Sequence, residues 1–397
     1  MAEAAREVWI TGVGILSCLG EGPQAHWQKL MEGHPVVDAD TFAPYIMHRL
    51  APTNFDAQIP KKGDQRQMEQ WQRIGTYAAG LALDSAGIKG KPEILSQTDM
   101  IVAAGGGERD LAVDSTILSG LPKTENPAAF LNERLMSDLR PTLFLAQLSN
   151  LLAGNISIVH GVTGSSRTFM GEEASGIDAV RIACARIAAG QSNIALVGGA
   201  HNAERPDMLI LYEFGEFNLK NRYQPVWERG DKGGFALGSL GAFLVIEARD
   251  HAEKRGAKPF ARLTTVYSDR TSRTPGSVTA TLGRLWDKIK PNLRPGHAAF
   301  LSGATGAAPA TTEERAFLEA HGDLAVRATG SYLGHGMEPQ FAMNIALAAI
   351  AVGHGSLFPP CDSTGLERPL NGDLSQVVVT GVGHWRGEGI ALVEKIG

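Results

Sequence analysis

Ala185-Arg-Ile-Ala-Ala-Gly190 and Ala348-Ala-Ile-Ala-Val-Gly353 are the two segments on which the reading of the fold turns. Each ends an alanine- and isoleucine-rich run that reads as a helix, Gly171–Gly190 in the first case and Gly334–Gly353 in the second. Each helix is followed by the same order of apolar strands. After the first come Asn193-Ile-Ala-Leu-Val-Gly-Gly-Ala200 and Gly241-Ala-Phe-Leu-Val-Ile-Glu247; after the second come Gln376-Val-Val-Val-Thr-Gly-Val-Gly383 and Gly389-Ile-Ala-Leu-Val-Glu394. One order of elements used twice predicts a duplicated α/β unit, against the plainer alternative of two unrelated buried helices. Strands as continuously apolar as Phe243–Ile246 imply sheets covered by helices on both faces, and helices without a broad polar stripe belong at the centre.

The chain of 397 residues, 43% hydrophobic and 20% charged, suits two substantial cores. The polar run Arg249-Asp-His-Ala-Glu-Lys-Arg-Gly-Ala-Lys258 marks the break between halves at 1–250 and 251–397, and its shortness makes the halves pack rather than swing. A net charge of −5 without a long basic run argues against a nucleic-acid surface. Cys18, Cys184 and Cys361 lie far apart without a Cys-x-x-Cys pair, so neither a disulfide framework nor a zinc knuckle is expected. Met1-Ala-Glu-Ala-Ala-Arg-Glu7 lacks the apolar core of a signal peptide, and no stretch reaches the length of a membrane helix; the expected setting is the cytoplasm, without membrane insertion.

The opening strand Val8-Trp-Ile-Thr-Gly-Val-Gly14 carries Gly-x-Gly, but the third glycine of a dinucleotide fingerprint and its acidic ribose partner are missing, so these glycines read as structural. Gly105-Gly-Gly107, after Ile101-Val-Ala-Ala104, is a backbone-approach loop rather than a P-loop, since no Gly-Lys-Ser/Thr follows. No cofactor is expected.

Taken in order, Val8–Gly14, Gln65-Arg-Gln-Met68 with Ala78–Gly87, Asn150–Ile158 with Gly161-Val-Thr-Gly164, Gly190–Ala200, Gly234–Glu247, Gly334-His335, Pro359-Pro360 and Thr380–Gly383 resemble the elongating β-ketoacyl carrier-protein synthases of the thiolase fold. The resemblance covers nearly the whole chain. It implies duplicated βαβαβαββ halves forming a layered α-β-α-β-α sandwich, and a dimer built through the strands preceding the nucleophile helix, here Ser157–Val162 and its neighbours.

The family's chemistry needs a cysteine at a helix N-terminus, where the dipole and free N–H groups favour the thiolate. It also needs two histidines and a lysine to stabilise the charge that forms when a malonyl group loses carbon dioxide. Carried over position by position, the cysteine falls on Glu173, the first histidine on Gly303 in Gly303-Ala-Thr305, and the lysine on Gly330. The second histidine survives as His335. Thr305 keeps the family pattern and Glu314 stands at a glutamate position, while the nearby aspartate is Thr311 and the glutamate of the second central helix is Asn344. The closing loop reads Gly381-Val-Gly-His-Trp-Arg386, so the gating phenylalanine is Val382, beside bulky His384 and Trp385. The expected substrate pocket comprises Thr305, Glu314, Val382 and His384.

Glu173 has three readings: an acid favoured by ~0.3–1 kcal/mol in a first helical turn, a plug or salt-bridge partner in a former acyl site, and a general base for decarboxylation. His335 reads either as a core histidine donating to a backbone carbonyl near Glu173 or as a catalytic group. Successive helical residues point about 100° apart, so Glu172 and Glu173 cannot face one pocket equally. A metal set of Glu172, Glu173 and His335 lacks any ligand spacing, and no metal is expected. Lys61, Lys62, Arg66 and Arg73 cluster around Met68, and Lys62 and Arg66 are the expected docking residues for an acidic acyl carrier protein, with a solvated helix face as the plain alternative. The function the resemblance implies is a β-ketoacyl synthase homologue that does not condense by itself. It would act beside an active ketosynthase as a heterodimer, like a chain-length factor, or form a homodimer. The alternatives are an independent acyl-thioester enzyme using Glu173 and His335, such as a malonyl-carrier-protein decarboxylase, and a carrier-binding scaffold.

Overall fold

The structure, a computed structural model, describes residues 5–141 and 143–397; Met1–Ala4 of the N-terminal stretch lie outside the described residues. The longer strands, which make up its main sheet, are β1 (Val8–Ser17), β2 (Asp99–Ala104), β3 (Ser166–Met170), β4 (Ile194–His201), β5 (Leu240–Ala248), β6 (Ala261–Asp269), β7 (Ala298–Ser302), β8 (Ala325–Ala328), β9 (Gln376–Val382) and β10 (Glu388–Glu394). The helices that matter for the site are α1 (Lys62–Gln67), α2 (Gln70–Ser85), α3 (Leu151–His160), α4 (Glu173–Ala188), α5 (Pro206–Phe214), α6 (Gly330–Leu333) and α7 (Gln340–His354).

The strands run β8-β7-β9-β10-β6-β1-β5-β4-β2-β3, and a two-residue strand at Gly20–Glu21 pairs beside β1. Read outward from the middle, β1-β5-β4-β2-β3 and β6-β10-β9-β7-β8 are the same sequence of antiparallel, antiparallel, parallel and parallel pairings. The expected duplication is therefore present at the level of topology. The two half-sheets are joined by a short antiparallel pairing of β1 with β6, Trp9 opposite Arg262 and Ile10 opposite Ala261.

Helices α4 and α7 pack on each other between the two half-sheets, while α2 covers the outer face of the first half and Ser277–Ile289 that of the second. The result is the layered helix, sheet, helix, sheet, helix sandwich. One continuous core runs through the middle, joining Ile177 and Val180 of α4 to Phe341 and Leu347 of α7 and to Leu244 and Val379 on the strands. Every residue of α7 from Gln340 to Val352 is buried, which is why its sequence carries no polar stripe.

The Gly12 and Gly14 pair is structural, as its spacing suggested. A Cβ on Gly14 would lie 2.0 Å from the Ala78 carbonyl oxygen, so only glycine lets α2 sit this close to β1.

Three expectations need correction. The first central helix begins at Glu173, not Gly171, because Gly171 takes φ 129°, a glycine conformation outside any helix. The second begins at Gln340, not Gly334: Gly334 and Met337 have φ of 73° and 53°, and Pro339 forms the N-cap. His335 therefore stands on a loop. The segment around Ser157 is not a strand but the end of α3, whose buried residues Leu152, Ile156 and His160 fall at helical spacing. The edge strand of this half is β3 instead.

Candidate functional site

Glu173 is the first residue of α4, where the positive end of the helix dipole favours a carboxylate. The dipole is the smaller part of its setting. Nε2 of His335 donates to Oε1 of Glu173 at 2.7 Å, Nδ1 of His384 lies 2.9 Å from the same oxygen, and the His384 backbone N–H donates to it at 3.2 Å. All three side chains are buried, and Oε2 of Glu173 has no partner among the described residues. The histidine reading is corrected by this contact: His335 pairs with the carboxylate itself, not with a backbone carbonyl.

The cluster's charges follow from burial and proximity. Burial pushes the Glu173 carboxyl up, but His384 and the hydrogen bonds from both imidazoles outweigh it and hold it well below the usual carboxylate range. Burial pushes both histidines down. It prevails at His335, whereas at His384 the charge and hydrogen bond of Glu173, with Glu172 behind, raise the imidazole above its ordinary value. Glu173 is thus favoured as a carboxylate, His384 holds its proton more tightly than a free imidazole, and His335 holds its proton less tightly. The rings of Tyr212, Phe217 and Phe235 stand edge-on to His384 at centroid distances of 5.6, 4.9 and 5.4 Å, fixing its orientation.

Glu172 points elsewhere, as the 100° rotation per residue requires. It is the N-cap of α4, lines a cavity of about 500 Å³ together with Tyr212, Phe217, His384 and Trp385, and reaches only within 3.7 Å of Nε2 of His384. Burial raises its carboxyl.

At Gly303 and Gly330, where the resemblance would place a histidine and a lysine, neighbouring atoms stand close to the backbone. A Cβ on Gly303 would lie 2.7 Å from the Thr380 carbonyl oxygen, and one on Gly330 would lie 3.1 Å from the Ala304 carbonyl oxygen and 3.3 Å from Val226. Asn344 spends its side-chain oxygen on Thr329 Oγ1 at 2.6 Å and Gln340 Nε2 at 3.2 Å.

Of the four expected pocket residues, His384 alone lines this cavity. Thr305 is buried and accepts from the Ala307 N–H at 3.0 Å; Val382 is buried at the end of β9. Glu314 is fully buried and accepts from Ser302 Oγ at 2.7 Å and Thr380 Oγ1 at 2.5 Å, with burial raising its carboxyl. Those two hydroxyls brace β7 against β9 through one acid, a structural task. Lys62 and Arg66 are exposed on α1, but Lys62 is paired with Asp56 at 2.5 Å.

Sequence reasoning missed two features. The partnership of Glu173 with His384 joins positions 211 residues apart and has no local signal. The second is a cavity of about 480 Å³ beyond the ends of β2, β3 and β4, lined by Gly105, Glu172, His201, Asn202 and Glu338 along with apolar side chains such as Met170 and Leu211. Nδ1 of His201 lies 3.8 Å from Oε2 of Glu338. The available hint was a histidine directly after the apolar strand ending at Ala200. The Gly105–Gly107 loop does serve backbone approach here, since Arg205 donates to the Gly106 and Gly107 carbonyls at 3.4 and 2.9 Å.

A duplicated α-β-α-β-α sandwich with two central helices, one N-terminus opening on a cluster of buried polar side chains, defines a thiolase-like protein. More narrowly, the sequence profile described as "Beta-ketoacyl synthase, N-terminal domain" matches residues 5–252, and the chain belongs to the β-ketoacyl synthase family. A curated relative, 3-oxoacyl-(acyl-carrier-protein) synthase 2 of Vibrio harveyi, is 28% identical over 270 residues, covering 65% of this chain and 61%, under two thirds, of that relative. Among solved structures, a β-ketoacyl synthase from Burkholderia phymatum superimposes with a TM-score of 0.79 at 18% identity, covering 99% of this chain and 100% of that one. The ishigamide ketosynthase/chain length factor gives the same TM-score of 0.79 at 19% identity, with the same 99% and 100% coverage. Among the described residues no helix is long and apolar enough to cross a membrane.

Proposed function

We propose that this chain is a non-condensing member of its family that works as the partner subunit of a cysteine-bearing β-ketoacyl synthase. One observation carries the reading: the position of the nucleophile holds a carboxylate locked between His335 and His384, and a carboxylate cannot store an acyl chain as a thioester. No thiol takes its place. Cys184 lies further along α4 and Cys18 near the end of β1, both buried with thiols pushed up to about 12, and Cys361 is pushed up to about 11; thiols so disfavoured as thiolates are poor nucleophiles. Gly303 and Gly330 stand where the family's first histidine and lysine would be expected, and the retained His335 is engaged with Glu173, which weakens the support for a malonyl-derived enolate.

The exposed face around β3 supports a partner. Ile158 is 72% exposed, Met170 at the end of β3 72% and Phe214 on α5 86%, and an open edge strand beside apolar side chains is a surface that another chain covers. The ishigamide structure, by its name, is such a pair of ketosynthase and chain length factor. In this reading halves 1–250 and 251–397 act as one body, and an acyl carrier protein docks at α1, where Arg66 rather than the Asp56-paired Lys62 supplies the free charge. Cytoplasmic location belongs to the same proposal.

Co-expression with a cysteine-bearing family member from the same cell tests it. The expected result is a one-to-one complex whose condensing activity exceeds that of the partner alone. Carbon dioxide release from malonyl carrier protein by this chain alone, abolished in Glu173→Gln, would establish the decarboxylase alternative instead. Carrier binding without either activity would leave a scaffold.

A further inference from the structure

Three donor atoms from three separate segments converge in front of α4. A carboxylate oxygen of Glu173, Nε2 of His335 on the loop before α7 and Nδ1 of His384 on the loop after β9 all lie within 4.8 Å of one another. Glu173 is 5% exposed, His335 2% and His384 4%. Hydrogen bonding does not satisfy this group evenly. Oε1 of Glu173 takes three donors, whereas Oε2, equally buried, takes none among the described residues.

Two imidazoles and a carboxylate make up a donor set that suits Zn²⁺ and its first-row relatives. We infer that Glu173, His335 and His384 form a binding site for one divalent transition-metal ion of the Zn²⁺ class. An ion ~2.0–2.2 Å from each donor would space the donors by roughly 3.3 Å, against 2.7 and 2.9 Å between His335, His384 and Oε1 of Glu173 in the hydrogen-bonded arrangement. Each contact opens by a few tenths of an ångström, the ring protons between the donors are displaced, and both oxygens of Glu173 become available to the ion.

The surroundings are those of a ligand set rather than a chance encounter. With Nδ1 of His384 on the ion, its Nε2 lies 3.7 Å from Glu172, beyond hydrogen-bond length, so that carboxylate acts on the ring by charge alone. Tyr212, Phe217 and Phe235 hold that ring in place. The cavity lined by Glu172 and His384 supplies a path from solvent. The positive end of α4 opposes a cation, and the charges of Glu173 and Glu172 offset it. No metal was expected because a set of Glu172, Glu173 and His335 has no ligand spacing in the sequence; the residue that stands with Glu173 and His335 is His384, 211 positions from Glu173.

The test uses the full chain, stripped with EDTA and then dialysed against CoCl₂ or ZnCl₂. The expected result is about one Co²⁺ per chain by elemental analysis, a visible d–d absorption band, and a Zn²⁺-dependent rise in Tm. Glu173→Gln and His384→Asn each remove the band, while His297→Ala, at a surface histidine away from the site, keeps it. Wild-type protein that retains no stoichiometric Co²⁺ overturns the inference whatever the variants do. So does Co²⁺ bound equally by folded Glu173→Gln and His384→Asn. Neither failure touches the partner-subunit reading, which co-purification decides separately.

Discussion

Nε2 of His335 lies 2.7 Å from Oε1 of Glu173, across 162 residues of sequence, and the contact ties the second half of the chain to the first at the centre of the molecule. Together with His384 it encloses one carboxylate that is ionised despite full burial. Such a group is costly to strand. Glu173→Ala leaves two buried imidazoles without their acceptor and His384 without a counter-charge, so unfolding of the EDTA-treated protein by urea should show a loss of ~2 kcal/mol or more at pH 7. Glu173→Gln, which keeps one oxygen acceptor, should lose less. Equal stability of Glu173→Ala and wild type would mean that the cluster holds nothing together.

Restoring the thiol should not restore the chemistry. Glu173→Cys places a nucleophile at the N-terminus of α4, and His335 is already within reach. The histidine and lysine positions, however, remain Gly303 and Gly330, where an added Cβ meets backbone at 2.7 and 3.1 Å. The expected outcome is acylation of the new cysteine by an acyl thioester, visible as a mass increase, without condensation onto malonyl carrier protein. Turnover to a β-ketoacyl product in this single variant would show that the substituted positions are dispensable.

The architecture was legible because it is written twice. The segments ending at Gly190 and Gly353, each followed by its apolar strands, gave the duplication, and the topology around β1 and β6 repeats it. Helix starts were less legible, since small residues at Gly171 and Gly334 suit a helix start by composition but adopt positive φ. The site was half legible. Glu173 and His335 were identified by position, while the role of His384 depends on how the β9–β10 loop folds over α4, a contact 211 residues distant in sequence. Glu314 and Thr305 lie off the cavity beside Glu172 and His384, and sequence alone does not separate a polar residue that faces a ligand from one that bonds two strands, as Glu314 does with Ser302 and Thr380.

Glu367 gives the protein a pH-dependent stability separate from the site. It accepts from the N–H groups of Ala328 and Cys361 at 2.7 and 2.9 Å and from Trp227 Nε1 at 3.2 Å, yet burial dominates and raises its carboxyl from 4.5 to about 7. The folded state therefore keeps a proton between pH 4.5 and 7 that the unfolded chain has lost. This contribution is greatest below pH 4.5, declines as pH rises to 7 and is flat above, with a span of roughly 3 kcal/mol. Glu367→Gln should flatten the decline in unfolding free energy over that window. A slope identical to wild type between pH 5 and 7 would assign the dependence to other groups.

The face around β3 makes the last prediction, and it separates a partnered chain from a solitary one. β3 is the edge of its half-sheet, with backbone groups open on one side, and Met170 at its end lines the same cavities as Leu211 of α5. Left bare, such an edge would invite unselective strand pairing. Met170→Lys and Phe214→Glu each place a charge among exposed apolar side chains and remove no buried contact, so the isolated fold should keep its circular-dichroism spectrum and lose less than ~0.5 kcal/mol of stability. Association should suffer much more. If the proposed partner-subunit reading holds, sedimentation of the double variant mixed with a cysteine-bearing family member should show free subunits under conditions where wild type forms a complex. If the complex survives both charges, the partner sits elsewhere, and the apolar surface of α5 needs another explanation.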